Sequence, residues 1–164
     1  MHTELDVFES LKYRVEVDEY GTRKYFNQRG VYHREDGPAI EAVSGDRYWY
    51  VNGRCHREDG PAVEHSGGTK QWWQHGKRHR TDGPAVIRAD GGKAWWQNSL
   101  RHREDGPAVE YANGGKEWWQ NGMRHRVDGP AIECAGGGKR WFLNDEMCSE
   151  HGFVQAVEQL GCKQ

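Results

Sequence analysis

Leucine, isoleucine, valine and phenylalanine are scarce in this chain. They number 5, 3, 12 and 4 among 164 residues. That lies below the ~20% share at which low apolar content, combined with high net charge, signals disorder. Net charge is only −2, so the second condition fails and a folded chain with a thin core is expected. Charge of one sign is also missing: 23 Lys and Arg face 25 Asp and Glu, and the pI is about 6.5. This balance speaks against a general DNA or RNA binder, whose affinity comes mostly from Lys and Arg clustered on phosphates. No apolar run approaches the ~18 residues of a membrane span. Met1-His2-Thr3-Glu4-Leu5-Asp6 has neither the basic nor the apolar segment of a signal peptide. The four cysteines (55, 134, 148 and 162) show no CxxC or paired spacing. They read as free thiols in a reducing, cytoplasmic setting rather than as a disulfide or zinc framework.

Eight Trp and seven Tyr supply the apolar mass that the aliphatic residues do not, and their placement is periodic. Asp-Gly-Pro-Ala begins at residues 36, 59, 82, 105 and 128, always 23 apart, and contains all five prolines of the chain. His-Arg precedes each copy: His33-Arg34, His56-Arg57, His79-Arg80, His102-Arg103 and His125-Arg126. Glycines recur at 45, 68, 91, 114 and 137, and basic residues at Lys24, Arg47, Lys70, Lys93, Lys116 and Lys139. Two adjacent aromatic columns follow. The first is Phe26, Trp49, Trp72, Trp95, Trp118 and Trp141; the second is Tyr50, Trp73, Trp96, Trp119 and Phe142. Such a period marks a repeat architecture.

Each unit reads as two short strands. Pro107-Ala108-Val109-Glu110-Tyr111 has β-branched content and no helical period, and Lys116 to Gln120 returns beside it. Asn113-Gly114-Gly115 between them suits the positive φ of a type I′ turn. Asn121-Gly122 and the segment to Asp128-Gly129 are assigned to the longer connection between units. With strands ~4.8 Å apart, each unit advances roughly 10 Å and the whole forms an elongated antiparallel β-hairpin ribbon on the order of 50–60 Å long. The predicted organisation is an N-terminal cap with a degenerate first unit over 1–23, hairpin repeats over 24–145, and a C-terminal capping helix over 146–164. The worn first unit is Val15-Glu16-Val17, a turn at Tyr20-Gly21, then Lys24-Tyr25-Phe26. A short helix with Leu5, Phe8 and Leu11 inward is expected before it. At the other end Ser149 caps a helix to about Leu160, with Phe153, Val157 and Leu160 on one face and Gly161 as the stop. Terminal units that differ from the rest are what a stack with open edges requires.

Two segments, Trp119-Gln120-Asn121-Gly122-Met123-Arg124-His125 and Trp73-Gln74-His75-Gly76-Lys77-Arg78-His79, resemble the W-x-N-G-K-x-H stretch of MORN repeats (membrane occupation and recognition nexus). The resemblance covers roughly residues 24–145 and implies an all-β ribbon of 23-residue hairpins. The chain departs from the family after the His, where Arg80 and Asp82 are followed by Gly-Pro-Ala in place of a glycine pair. It also lacks the family's early Tyr-x-Gly. The variant unit with His-Arg-Glu-Asp-Gly-Pro-Ala looks like that of repeat proteins in phages and large viruses. The resemblance implies a scaffold or a partner- or lipid-binding module without catalysis of its own, and the departures weigh against lipid.

The His-Arg-x-Asp column has the residue types of a base with its orienting carboxylate. Catalysis needs one asymmetric pocket, and five equivalent copies give none, so no catalytic residue is assigned. Asp before Gly-Pro fixes a turn. Zinc ligands sit ~2.0–2.1 Å from the metal, while neighbouring column members are roughly 10 Å apart, so no metal or cofactor is expected. Adjacent residues on a strand point to opposite faces. The column of Trp49, Trp72, Trp95, Trp118 and Trp141 is therefore expected in the core under Ile40, Val63, Val86, Val109 and Ile132. The second column becomes the working surface, unless ribbon twist, the terminal helices or a second copy covers both faces. The candidate ligand- or partner-binding residues are Trp73, Trp96, Trp119, His79, Arg80, His102, Arg103, His125 and Arg126. Trp beside Arg suits a flat anionic ligand or a protein surface. Successive bases of a long nucleic acid stack too closely for a ~10 Å step. The expected function is a non-enzymatic binding or scaffold protein, a phage or other viral inhibitor of a host protein in the host cytosol. A small-molecule sponge for a nucleotide immune signal and a carbohydrate-binding repeat are the alternatives. Open strand edges make a homodimer an expectation as well. The columns break at Cys55, which replaces the Arg of 78, 101 and 124, and at Asn98-Ser99-Leu100; both read as drift.

Overall fold

The computed structural model describes residues 12–161. The chain divides into two compact units, Met1–His79 and Arg80–Gln164. Among the described residues, the first unit carries six main-sheet strands: Arg14–Val17, Arg23–Phe26, Ile40–Glu41, Arg47–Tyr48, Val63–Glu64 and Lys70–Gln71, each antiparallel to the next. The second carries Val86–Ile87, Lys93–Ala94, Val109–Glu110, Lys116–Glu117, Ile132–Glu133, Lys139–Leu143 and Glu146–Cys148 in the same antiparallel order. The protein is an all-β repeat of hairpins closed by a C-terminal helix. No helix among the described residues is long and apolar enough to cross a membrane.

A single tile shows why the sequence folds this way. Val109–Glu110 pairs with Lys116–Glu117. In the loop between them Tyr111 N–H donates to the Gly115 carbonyl at 2.9 Å, and Gly114 N–H to the Tyr111 carbonyl at 3.0 Å. Gly114 has φ 92°, and Asn113 has no positive φ. The connection is therefore a three-residue loop ending in a left-handed glycine, not the type I′ turn that Asn113-Gly114 suggested. The type I′ turn lies one step later. Trp119–Gln120 and Met123–Arg124 form a second, smaller hairpin through Asn121-Gly122, with φ 51° and 83°. The same two-residue turn recurs at 52–53, 75–76, 98–99 and 144–145. What the sequence placed in a long connection is thus a hairpin of its own.

Between the two hairpins Trp118 belongs to no strand. Its N–H donates to the Ala131 carbonyl at 2.8 Å, and its carbonyl accepts from His125 N–H at 3.1 Å. Strand alternation does not run through this crossing. That is why neither aromatic column is the buried one: Trp49, Trp72, Trp95, Trp118 and Trp141 are half-buried, and so are Tyr50, Trp73, Trp96 and Trp119. The innermost column is alanine. Ala39, Ala62, Ala85, Ala108 and Ala131 are all 0% exposed. The chain closes on them through backbone bonds of 2.8 Å from Tyr25, Trp49, Trp95 and Trp118, which leaves no room for a larger side chain beside the crossing.

The first tile is offset by one residue. Tyr25, not Phe26, donates its N–H to Ala39 and accepts from His33 N–H at 3.0 Å, as the Trp of the later tiles do. Arg23, not Lys24, pairs with Glu41, where Arg47 pairs with Glu64. The stretch 26–32 is one residue longer than its counterparts, so a count back from the His-Arg column lands one place late.

At the C-terminus helix α1 spans Glu150–Gly161 and packs on the last two strands. Ser149 Oγ accepts the Gly152 N–H at 3.1 Å as the cap. Phe153 is buried, as the apolar face predicts. The expected helix carrying Leu5, Phe8 and Leu11 lies outside the described residues.

Candidate functional site

In four of the five His-Arg-x-Asp loops the Arg is held from four directions. Arg103 donates from Nε to Asp105 at 2.9 Å, and from Nη1 to the Pro107 carbonyl at 3.2 Å and to Glu110 at 3.1 Å. Its guanidinium lies 4.0 Å over the Trp95 ring. Arg126 repeats this with Asp128, Pro130, Glu133 and Trp118. Arg57 does so with Asp59, Pro61, Glu64 and Trp49. Arg34 uses Asp36, Pro38, Glu41 and Tyr25. Arg80 bonds Asp82 and the Pro84 carbonyl. The glycine of the motif faces the same guanidinium: a Cβ on Gly106 would fall 3.1 Å from Arg103 Cζ, and one on Gly129 3.0 Å from Arg126 Cζ. The motif is therefore a clamp in which Asp grips the edge of the Arg, Trp takes its flat face and Gly makes the space. The hydrogen bond from Arg, reinforced by its charge, holds Asp59, Asp82, Asp105 and Asp128 below the usual carboxylate range.

The histidines bind the following tile. Nδ1 of His33, His56, His102 and His125 accepts the backbone N–H of Asn52, His75, Asn121 and Asn144 at 3.1–3.2 Å. Those donors are the first residues of the type I′ turns. Bonding fixes Nδ1 as the acceptor and leaves Nε2 toward Glu35, Glu58 and Glu104, at 3.8, 3.8 and 3.7 Å. The motif Asp bonds Arg, so the column does not build the base-and-carboxylate pair that its composition suggests. Within its own tile His79 donates its backbone N–H to the Trp72 carbonyl at 3.2 Å, as His102 and His125 do to Trp95 and Trp118.

The second aromatic column forms a ladder. In the second unit Arg101 lies 5.4 Å from the Trp96 ring and 4.9 Å from Trp119, and Arg124 lies 5.6 Å from Trp119 and 4.3 Å from Phe142. Trp119 Nε1 donates to Glu117 at 2.8 Å. In the first unit Arg78 sits 5.0 Å from Trp73, and the rungs nearer the N-terminus are aromatic, with Tyr32 at 5.0 Å from Phe26 and 5.5 Å from Tyr50. Cys55 occupies a rung position. It is buried against Ala62 and Val63, and burial pushes its thiol up to about 12, far from a reactive thiolate. The Arg78, Arg101 and Arg124 column is visible in the sequence, but its pairing with Trp across tiles is not.

Recesses open between successive loops. In the first unit Arg34–Gly37 and His56–Asp59 flank one of about 670 Å³ floored by Trp49 and Val51. In the second unit two such recesses lie in series. One of about 600 Å³ has Trp95 and Gln97 on its floor. The next, about 560 Å³, has Trp118 and Gln120. Arg103, Glu104 and Asp105 line both. Of the sequence-predicted residues, Arg80, His102, Arg103, His125 and Arg126 line these two recesses with Trp95 and Trp118. Trp96 and Trp119 meet the loops through their carbonyls, which accept from Arg80 and Arg103 N–H at 3.1 Å, and Trp73 lies in the first unit. In each recess the two Arg are outnumbered by carboxylates: Glu35, Asp36, Glu58 and Asp59 in the first, Asp82, Glu104 and Asp105 in the second, Glu104, Asp105 and Asp128 in the third. No protein-family model and no curated protein matches the chain.

Proposed function

We propose that the chain is a non-enzymatic binding or scaffold protein whose recurring recesses contact a protein partner. The observation that carries this reading is the repetition itself. The same Trp-floored, carboxylate-rimmed hollow recurs in both units, while the groups that would do chemistry are committed to the fold. The MORN-like sequence pattern supports a scaffold, and the free thiols support a cytosolic setting. The viral flavour of the repeat supports a partner of host origin. A nucleotide ligand draws less support, because the guanidiniums it would need already hold Asp, Pro carbonyls and Trp, and the net charge of each hollow is negative.

Photo-crosslinking from the rim tests this. A crosslinker at Thr81 or Val127, both exposed, is expected to capture a saturable partner that Glu58→Arg and Glu104→Arg release. A purified chain that carries a nucleotide instead, with no saturable protein capture, overturns it.

A further inference from the structure

We infer that the two serial recesses of the second unit hold an extended, cation-bearing segment of the partner: a polyproline II stretch whose rings repeat at every third position and which sets a Lys or Arg against Glu104. This rests on the protein-binding reading and names the chemistry of what binds.

Charge is the first ground. Glu104 belongs to both recesses, and its side chain is 84% exposed, with His102 Nε2 at 3.7 Å. Asp82, Asp105 and Asp128 neutralise the Arg beside them, so the charge left facing an incoming ligand is that of Glu104. A cation is attracted and a phosphate repelled. The floor is the second ground. Each recess offers one half-buried indole, Trp95 or Trp118, next to one half-buried amide, Gln97 or Gln120. Aromatic-lined grooves take polyproline II because its rings pack on the indole and little ordering entropy is lost. That helix leaves its carbonyls unbonded, and a glutamine amide is a suitable donor for them.

Spacing is the third ground. One tile advances by two strands of the main sheet, ~4.8 Å each, hence about 9.6 Å. Three residues of polyproline II span about 9.3 Å. Alternate residues of a strand span about 6.7 Å and fall out of step within one tile. An α-helix matches only at seven residues, about 10.5 Å, with a cylinder about as wide as the interval between the rims.

The test is fluorescence anisotropy with the full chain and labelled synthetic peptides. The probes are an Arg-Pro-Pro repeat, an Arg-Pro repeat of equal charge, a Glu-Pro-Pro repeat and a helical peptide with Arg at every seventh position. The Arg-Pro-Pro repeat is expected to bind roughly tenfold more tightly than the Arg-Pro repeat and the helix, and the Glu peptide not at all. Glu104→Gln, a surface change, is expected to weaken it roughly two- to fivefold, the scale of an exposed ion pair; Glu146→Gln, outside the recesses, leaves it unchanged. Equal binding of every cationic peptide, preference for the helix, or indifference to Glu104→Gln overturns the inference. If no cationic peptide binds while rim crosslinking still captures a saturable protein, the peptide inference falls and the protein-binding reading stands.

Discussion

Arg126 lies flat on Trp118, its guanidinium carbon 3.9 Å from the ring, while its Nε grips Asp128 at 2.7 Å. The two contacts use different parts of one group, the face and the edge. Only a planar, delocalised cation serves both, which distinguishes Arg from Lys here. With few aliphatic side chains available, the protein stabilises each tile through this clamp.

Arg103→Lys, which keeps the charge, is therefore expected to lower stability by about 1–2 kcal/mol through loss of the stack and the forked bonds. Urea unfolding checks it, and an unchanged midpoint and slope would show that the clamp contributes nothing beyond charge.

Gly106→Ala meets the guanidinium rather than a backbone restriction, because Gly106 has no positive φ. The expected cost is about 1–3 kcal/mol, typical of overpacking. In the background of Arg103→Ala the same change is expected to cost much less, so a double-mutant cycle isolates the contact. Additive losses would refute the steric account.

Acid should weaken the clamps. Asp59, Asp82, Asp105 and Asp128 have folded values lowered from 3.8 by their Arg partners. Their contribution is present above the unfolded value and is lost as pH falls through the folded one. Thermal melts should stay level at neutral pH and drop below about pH 4, with Asp105→Asn making the acid limb shallower. An acid limb that Asp105→Asn leaves as steep would count against the assignment.

Thiol labelling should separate the cysteines. Cys134 is exposed and Cys55 buried, with the Cys55 thiol pushed up to about 12. At pH 8 iodoacetamide is expected to modify Cys134 promptly and Cys55 only after unfolding, as read by peptide mass spectrometry. Rapid labelling of Cys55 in the folded chain would contradict its place in the ladder.

The 23-residue period, the hairpin character, the Ser149 cap and the burial of Phe153 were legible because each rests on local spacing. Three features were not. The hairpin at Asn121-Gly122 was hidden by its two-residue strands, too short to show alternation, although Asn-Gly is itself a strong turn signal. The expected split into one core column and one exposed column of Trp is not seen, because Trp118 stands at a crossing between hairpins, where the rule of opposite faces has no strand to act on. The first tile slipped by one because an extra residue in 26–32 moves Tyr25, not Phe26, onto Ala39. Around the candidate recesses, Arg80, His102, Arg103, His125 and Arg126 could be picked out from the repeat, but the aromatic residues beside them are Trp95 and Trp118. Glu104 stands in the His-Arg-Glu-Asp-Gly-Pro-Ala unit, and Gln97 and Gln120 each follow a Trp of the second column, but their meeting in a recess emerges only once neighbouring loops are brought side by side.

The bond from Asn121 N–H to His102 Nδ1 spans 19 positions, and Asn144 repeats it to His125. Every such link reaches only the adjoining tile, so an in-frame duplication of one 23-codon stretch inserts a unit whose donors and acceptors are met on both sides. Lineages carrying this gene can therefore lengthen or shorten the protein in whole steps, adding or removing one hollow at a time without redesigning a core.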